Sequence, residues 1–406
     1  MARTLAELPG GTRITDYISL GVVTNAFPRA TIDAVLNNTG RTSIRQRDMP
    51  AHVVVYYVIA LALYMQSSYR EVLRCLLEGI RWLLGPSAAI RVTGKSGISQ
   101  ARSRLGWEAL KQLHDQIVRP VAVKATRGAW YRNWQLVSLD GSTLDIADEE
   151  DNERAFGRPS ASRGSSAYPQ LRFVSLVENG THVLFGTQFG SVDTGEITLA
   201  RDVLPSLQKG MLCLADRNFY GFELWNQARA TGAELLWRVK KNLRLPCERR
   251  LEDGSYLSRI YASPKDRRHG KDGVVVRVIE YRLEGIPDAE PIYRLLTTIL
   301  DHEAAPAAEL AALYHERWEI ETALDELKTH LRGSRIVLRS KTPDLVRQEF
   351  YGLMMAHFAI RSLMHRAALR VEEDPDRLSF LNAVRVVRRK VASFAAFPPS
   401  GAESTS

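Results

Sequence analysis

The chain has 406 residues, 45% of them hydrophobic and 25% charged, with a net charge of +9 and a pI near 9.5. That length accommodates two or three domains with a sizeable core, and the basic balance favours a polyanionic partner, nucleic acid before membrane. Three cysteines, Cys75, Cys213 and Cys247, have neither CxxC nor Cys/His spacing, which argues against a zinc site or a disulfide framework and fits a reducing cytoplasm.

The opening run MARTLAELPGGTRITDYISLGVV lacks the basic start and apolar core of a signal peptide. The longest apolar run, VVVYYVIALALYM at 53–65, is too short for a bilayer span of about 20 residues and reads as a buried helix, so no membrane partner is expected. SYREVLRCLLEGIRWLLG has apolar residues at helical spacing, with Gly85 and Pro86 as stop signals. SGISQARSRL at 96–105 then predicts a short helix carrying Gln100, Arg102 and Arg104. It reads either as the recognition helix of a helix-turn-helix or as a solvated amphipathic helix. Residues 1–130 are thus a helical N-terminal domain, with these three side chains as possible DNA contacts.

The pattern changes at WQLVSLD, a strand ending at Asp140 before the turn-forming Gly141, Ser142 and Thr143. Strands LRFVSLV (171–177) and HVLFGTQFG (182–190) follow, after a polar stretch, DEEDNERAFGRPSASRGSSAYPQ, that reads as a mobile loop. Its acids Asp148, Glu149, Glu150 and Asp151, with Asp145, read as solvated, and Asp193 and Glu196 as caps of the next helix. That helix is near 196–208, then comes the strand MLCLAD ending at Asp216, a helix near 221–231 and the strand ELLWRVK. Three strands, a helix, a strand, a helix and a strand is the α/β layout of a ribonuclease-H-like catalytic core. Its first part covers 131–240.

From 241 to 291, alternating segments with Asp-Gly turns at 253–254 and 272–273 predict a β-rich insertion, and its run KDRRHGKDG should be exposed. The strand IYRLLTTIL (292–300) returns to the core, whose second part runs to 385 and includes a helix over 349–368 with an apolar stripe of core type. The tail, 386–406, is expected to be partly disordered.

Between these lies YHERWEIETALDELK (314–328), which sets Tyr314, Arg317, Glu321 and Lys328 at offsets of 0, 3, 7 and 14. On one regular helix, at about 100° per residue, they share roughly 60° of arc. Such a stripe alone is usually a solvated face with weak ion pairs. Here Leu313, Ile320, Leu324, Leu327 and Leu331 form a separate core stripe, and two aspartates upstream follow apolar strand runs. Glu319, about 160° from Glu321 on such a helix, does not share its site. Asp140, Asp216 and Glu321 could converge; three carboxylates repel unless cations neutralise them, and two Mg²⁺ ions suit so few hard oxygen ligands.

The spacing Y-x2-R-x3-E-x6-K resembles the signature of the IS4 family of DDE transposases, and SLDGSTLD (138–145) and LADRNFYG (214–221) look like its two aspartate motifs. The resemblance implies a catalytic and metal-binding triad of Asp140, Asp216 and Glu321, two Mg²⁺ ions with Mn²⁺ able to substitute, and phosphate contacts from Tyr314, Arg317 and Lys328. It implies an insertion-sequence transposase that binds double-stranded DNA, at element ends and target, as a homodimer. Such an enzyme cuts and joins strands, through a hairpin in some members, and works in the bacterial cytoplasm at the nucleoid. Trp237, Tyr256, Tyr261, Tyr281, Tyr293 and Trp318 are candidates to stack on a flipped base; Trp237 and Tyr293 read as core, and none is assigned. Two alternatives stay open: a DNA-binding regulator that no longer cuts, and a ribonuclease-H-like endonuclease without strand transfer.

Overall fold

The computed structural model describes residues 7–8, 12–13, 18–43, 49–84, 94–161, 164–165, 168–283, 290–333 and 336–388. The stop signals at Gly85 and Pro86 and residues 389–406 of the expected tail lie outside them, while 386–388 end a helix over Phe380–Arg388. The described residues fall into two compact units, one within Met1–Val118, Glu326–Ala368 and Arg377–Ser406, the other within Arg119–Asp325 and Leu369–Asp376.

The first unit is helical. It contains α1 (Ile18–Ala26), α2 (Arg29–Asn38), α3 (Ala51–Leu63), α4 (Tyr69–Leu84), α5 (Lys95–Leu105) and α6 (Glu108–Ile117). The apolar run at 53–65 becomes α3, buried on all sides as a helix without a polar face must be. Most of the long helix over Pro343–Arg370 also lies here; at Gly352 a Cβ would meet the carbonyl of Val58 at 2.6 Å, so glycine lets this helix and α3 approach closely. Among the described residues no helix is long and apolar enough to cross a membrane.

The second unit is built on a mixed sheet. Its main strands are β1 (Trp134–Asp145), β2 (Gln170–Glu178), β3 (Val183–Ser191), β4 (Met211–Ala215), β5 (Glu234–Arg238), β6 (Tyr256–Ile260), β7 (Val274–Tyr281) and β8 (Tyr293–Thr297). They lie in the order β6-β7-β8-β5-β4-β1-β2-β3, with two-residue strands at Arg249–Arg250 beside β6 and at Trp130–Tyr131 beside β1. Only β1–β4 and β4–β5 are parallel among these pairs. All five residues of β4, MLCLA, are buried, as an unalternating apolar strand between two parallel neighbours should be. Helices α8 (Glu196–Val203) and α9 (Phe222–Ala230) supply the crossovers, giving the predicted order of three strands, helix, strand, helix, strand.

Two expectations are corrected, and two segments are described further. The first strand does not end at Asp140; it continues to Asp145 because β2 pairs with it beyond the end of β4. The stretch read as a loop holds α7 (Glu150–Phe156), anchored by buried Asn152 and Phe156. The basic run KDRRHGKDG (265–273) is mostly exposed, and its first part lies in the short helix α10 (Pro264–His269), capped by Ser263, whose hydroxyl accepts the Asp266 amide at 3.2 Å. The strands of the β-rich segment join the core sheet, with β7 paired to β8 and β8 to β5.

The signature segment is not one regular helix either. It comprises α11 (Ala307–His315), a 3₁₀ turn (Glu316–Trp318), α12 (Glu319–Asp325) and a π-helical stretch (Glu326–Gly333). A 3₁₀ turn advances about 120° per residue and π turns are wider than α, so a single arc for all four signature residues does not hold.

Candidate active site

The parallel register of β1 with β4 ends at the pair Leu139 and Ala215. Asp140 and Asp216 are the next residues on these neighbouring strands, so both acids emerge at one level of the sheet. Each has one oxygen held by backbone. Asp140 Oδ1 accepts the Gly141 amide at 2.8 Å, and Asp216 Oδ1 accepts the Asn218 amide at 3.0 Å. Helix α12 packs against β1 and carries Glu321. Asp140, Asp216 and Glu321 line one open cavity of about 270 Å³, with Glu196, Arg217 and Arg317 also in its wall.

Arg317 lies between two of the acids. One guanidinium nitrogen is 3.6 Å from Asp140 Oδ2 and the other 3.6 Å from Glu321 Oε1. Its Nε is buried and makes no hydrogen bond among the described residues. Burial pushes the Asp140 carboxyl up to about 6; the Gly141 amide and the Arg317 charge work against that rise, while Glu196 and Asp216 add to it. Carboxylates lining one polar cavity are the donor type of a hard divalent cation, so the chemistry of these residues fits such an ion, although their ligand atoms are not gathered within 4.8 Å of one another as those of His182, Glu319 and Asp376 are.

The other predicted residues are placed differently. Tyr314 is 6% exposed and its hydroxyl donates to the Ala215 carbonyl at 3.2 Å, which ties α11 to the end of β4. It is not in the cavity wall, and burial raises its pKa, so it stays a protonated donor. Lys328 is half-buried in the π-helical stretch, within the helical unit. Of the three α5 residues, Gln100 and Arg104 are exposed. Arg102 is buried and is corrected here: its guanidinium donates to Gln348 Oε1 at 3.2 Å, Ser340 Oγ at 3.1 Å and the Leu345 carbonyl at 2.9 Å, so it has no face to offer DNA.

Glu319 stays out of the cavity. Its Oε2 accepts the Gly180 amide at 2.6 Å and lies 3.9 Å from His182 Nε2, which in turn is 3.1 Å from Asp376 Oδ1. The ligand atoms of His182, Glu319 and Asp376 lie within 4.8 Å of one another, a second group with metal-ligating chemistry. In this arrangement Glu319 pins the start of α12 to the β2–β3 turn, two residues before Glu321.

Sequence reasoning missed Glu196 and Arg238. Glu196 opens α8, but the N-cap is Gly195 with no side-chain bond. Its carboxylate instead lies over Gly141, where a Cβ would meet Glu196 Oε1 at 3.1 Å and the Phe173 carbonyl at 3.1 Å. The glycine after Asp140 was the signal: it makes room for a second acid. Arg238, the last residue of a buried strand beside Asp216, lines the cavity and pairs with Glu290 at 2.8 Å, as Arg217 does at 2.6 Å.

The chain is similar to known transposases. Residues 17–115 match the insertion element 4 transposase N-terminal family, and residues 135–359 match the transposase DDE domain family. The chain is 28% identical over 374 residues to the transposase InsG for insertion sequence element IS4 of Escherichia coli K12, covering 91% of this chain and 82% of that protein. It is 21% identical over 212 residues to the putative transposase InsZ of the same organism, covering 52% and 68%. A cryo-EM structure of the piggyBac transposase synaptic complex with hairpin DNA shares the fold, at a TM-score of 0.50 and 12% identity over 93% of this chain and 80% of that one. The sheet is thus the ribonuclease-H-like core of a transposase, and the chain belongs to the IS4 family of DDE transposases, insertion-sequence enzymes that bind DNA and cleave and transfer its strands with divalent metal ions.

Proposed function

We propose that Asp140, Asp216 and Glu321 are the catalytic residues of this transposase and together hold two Mg²⁺ ions, which Mn²⁺ can replace. The observation that carries this reading is that the three carboxylates line one cavity with Arg317 between two of them. The bound metal supplies activation of a water or 3′-hydroxyl and neutralises charge on the departing oxygen. Arg317 limits repulsion between Asp140 and Glu321 while the site is empty of DNA, and its guanidinium is shaped to grip a phosphate when a strand enters. The Gly141 and Asn218 amides fix the orientation of the two aspartates. Tyr314 acts by tying the signature segment to β4 more than by reaching a phosphate; Lys328 contacts the DNA backbone.

The helical domain of residues 1–130 binds the element ends, with Gln100 and Arg104 as its exposed polar contacts on α5. Two chains hold two ends as a homodimer, in the bacterial cytoplasm at the nucleoid. The test is cleavage and joining of a labelled fragment carrying the element's own ends, with and without Mg²⁺, comparing wild type with Glu321→Gln. Metal-dependent joined product from wild type alone is the expected result. Binding without cleavage would make the chain a regulator, and cleavage without joining would make it a nuclease.

A further inference from the structure

Beside the catalytic cavity the same unit holds a second one, of about 680 Å³, with a different chemistry. Lys240, Arg244, Arg267 and Arg268 line it together with Tyr220 and Tyr261, and none of its eleven lining residues is an acid. Among the described residues none of these four cations is ion-paired. The arginines of the catalytic cavity differ: Arg217 and Arg238 share Glu290, and Arg317 faces Asp140 and Glu321. Lys240, Arg244 and Arg268 are exposed and alone would be an ordinary solvated basic surface. Arg267 is not ordinary. It is half-buried, its Nε is buried without a hydrogen-bond partner, and its guanidinium lies 5.7 Å from the centre of the Tyr261 ring. Tyr261 in turn lies over Gly273, where a Cβ would meet its ring at 2.6 Å, so the glycine sets the ring's position.

The two cavities are contiguous along the chain. Phe219 lines the catalytic one and Tyr220 the basic one; Arg238 lines the first and Lys240 the second. Consecutive Cα atoms are about 3.8 Å apart, so the walls of the two cavities are built from neighbouring residues. Converging cations without acids are matched by phosphates, and tyrosines among them offer faces to sugars or bases. We propose that this cavity is a binding site for the sugar–phosphate backbone of the DNA strand next to the cut. The four cations take its phosphates, and Tyr261, held by Gly273 and Arg267, packs against the sugar or base between them. The proposal rests on the transposase reading and adds the insertion's α10 and the loop after β5 to the DNA-binding surface.

The test uses the full chain and a labelled duplex carrying one element end with its flanking DNA, with affinity measured across a salt series. Each lost phosphate contact should lower the slope of log K against log salt by about 0.9. Arg267→Ala with Arg268→Ala should lower it by about 1.8 and weaken binding 10- to 100-fold, whereas Arg267→Lys with Arg268→Lys should leave the slope unchanged. Should the alanine pair fail to fold, Lys240→Ala with Arg244→Ala, on another segment, makes the same prediction. A photoreactive phenylalanine in place of Tyr261 should crosslink to the strand beside the cut. Wild-type affinity and slope in both alanine pairs, or no crosslink from a chain that binds the duplex, would overturn the proposal and leave the transposase reading standing. Failure of the wild type to bind any end duplex would instead strike that reading itself.

Discussion

Two cavities of one unit, joined by the run Asp216–Tyr220, solve the same problem in opposite ways. In the catalytic cavity the arginines meet protein carboxylates: Arg317 lies 3.6 Å from both Asp140 and Glu321, and Arg217 and Arg238 share Glu290. In the basic cavity Lys240, Arg244, Arg267 and Arg268 have no such partners among the described residues. The difference teaches that a count of basic residues says little about where a polyanion binds. What matters is whether each cation's charge is already matched inside the protein, and a +9 chain contains both kinds.

The largest effects should follow from changes that break the acidic side of this comparison. Asp140→Asn or Glu321→Gln should reduce metal-dependent end cleavage by roughly 1,000-fold or more while leaving duplex affinity within about threefold, as measured by product formation and by gel shift. Arg317→Ala should be next, lowering cleavage by about 100-fold, because it removes the one guanidinium shared by Asp140 and Glu321. Arg317→Lys should recover little, since a point charge cannot face both acids as a planar fork does. Recovery to wild-type cleavage by lysine would mean that only charge counts at that position.

A smaller effect is expected from Glu319, which works through the backbone. Glu319→Ala removes the acceptor for the Gly180 amide and should lower the cleavage rate by about tenfold without changing duplex affinity. Glu319→Gln keeps a carbonyl oxygen for that amide and should restore most of the rate. If glutamine is as damaging as alanine, the charge facing His182 matters more than the hydrogen bond. The least effect on activity belongs to Arg102, whose guanidinium is buried and hydrogen-bonded to neutral acceptors inside the protein. Arg102→Ala should cost about 2–4 kcal/mol of stability in chemical denaturation and leave DNA affinity unchanged. A selective loss of DNA affinity with unaltered stability would place Arg102 on the DNA surface after all.

The legible parts of this molecule were those set by local periodicity. Strand β4 reads as five apolar residues ending in an acid because it is buried on both faces, and the chain meets solvent again only at Asp216. The order of strands and crossover helices was readable for the same reason. The missed features all depend on residues far apart in sequence. Arg102 looked like a surface cation until Gln348, 246 residues away, supplied its partner. Glu196 looked like a cap because capping is a local pattern, whereas its contact with Gly141 comes from the packing of α8 on the sheet. The continuation of β1 past Asp140 is set by pairing with β2. The π-helical stretch after Asp325 leaves no trace in a pattern of apolar spacing, which is why the signature residues looked as if they shared a single face.

The central claim is that the carboxylates of the cavity are direct ligands of a divalent cation. The measurement that tests it most directly is end cleavage by Asp216→Cys in Mg²⁺ and in Mn²⁺. Thiolate is a poor ligand for hard magnesium and a better one for manganese. Cleavage lost in Mg²⁺ and restored at least tenfold by Mn²⁺, with no such gain for Asp216→Ala, is the predicted result. Equal activity of the cysteine variant in both metals, near the wild-type rate, would contradict the account.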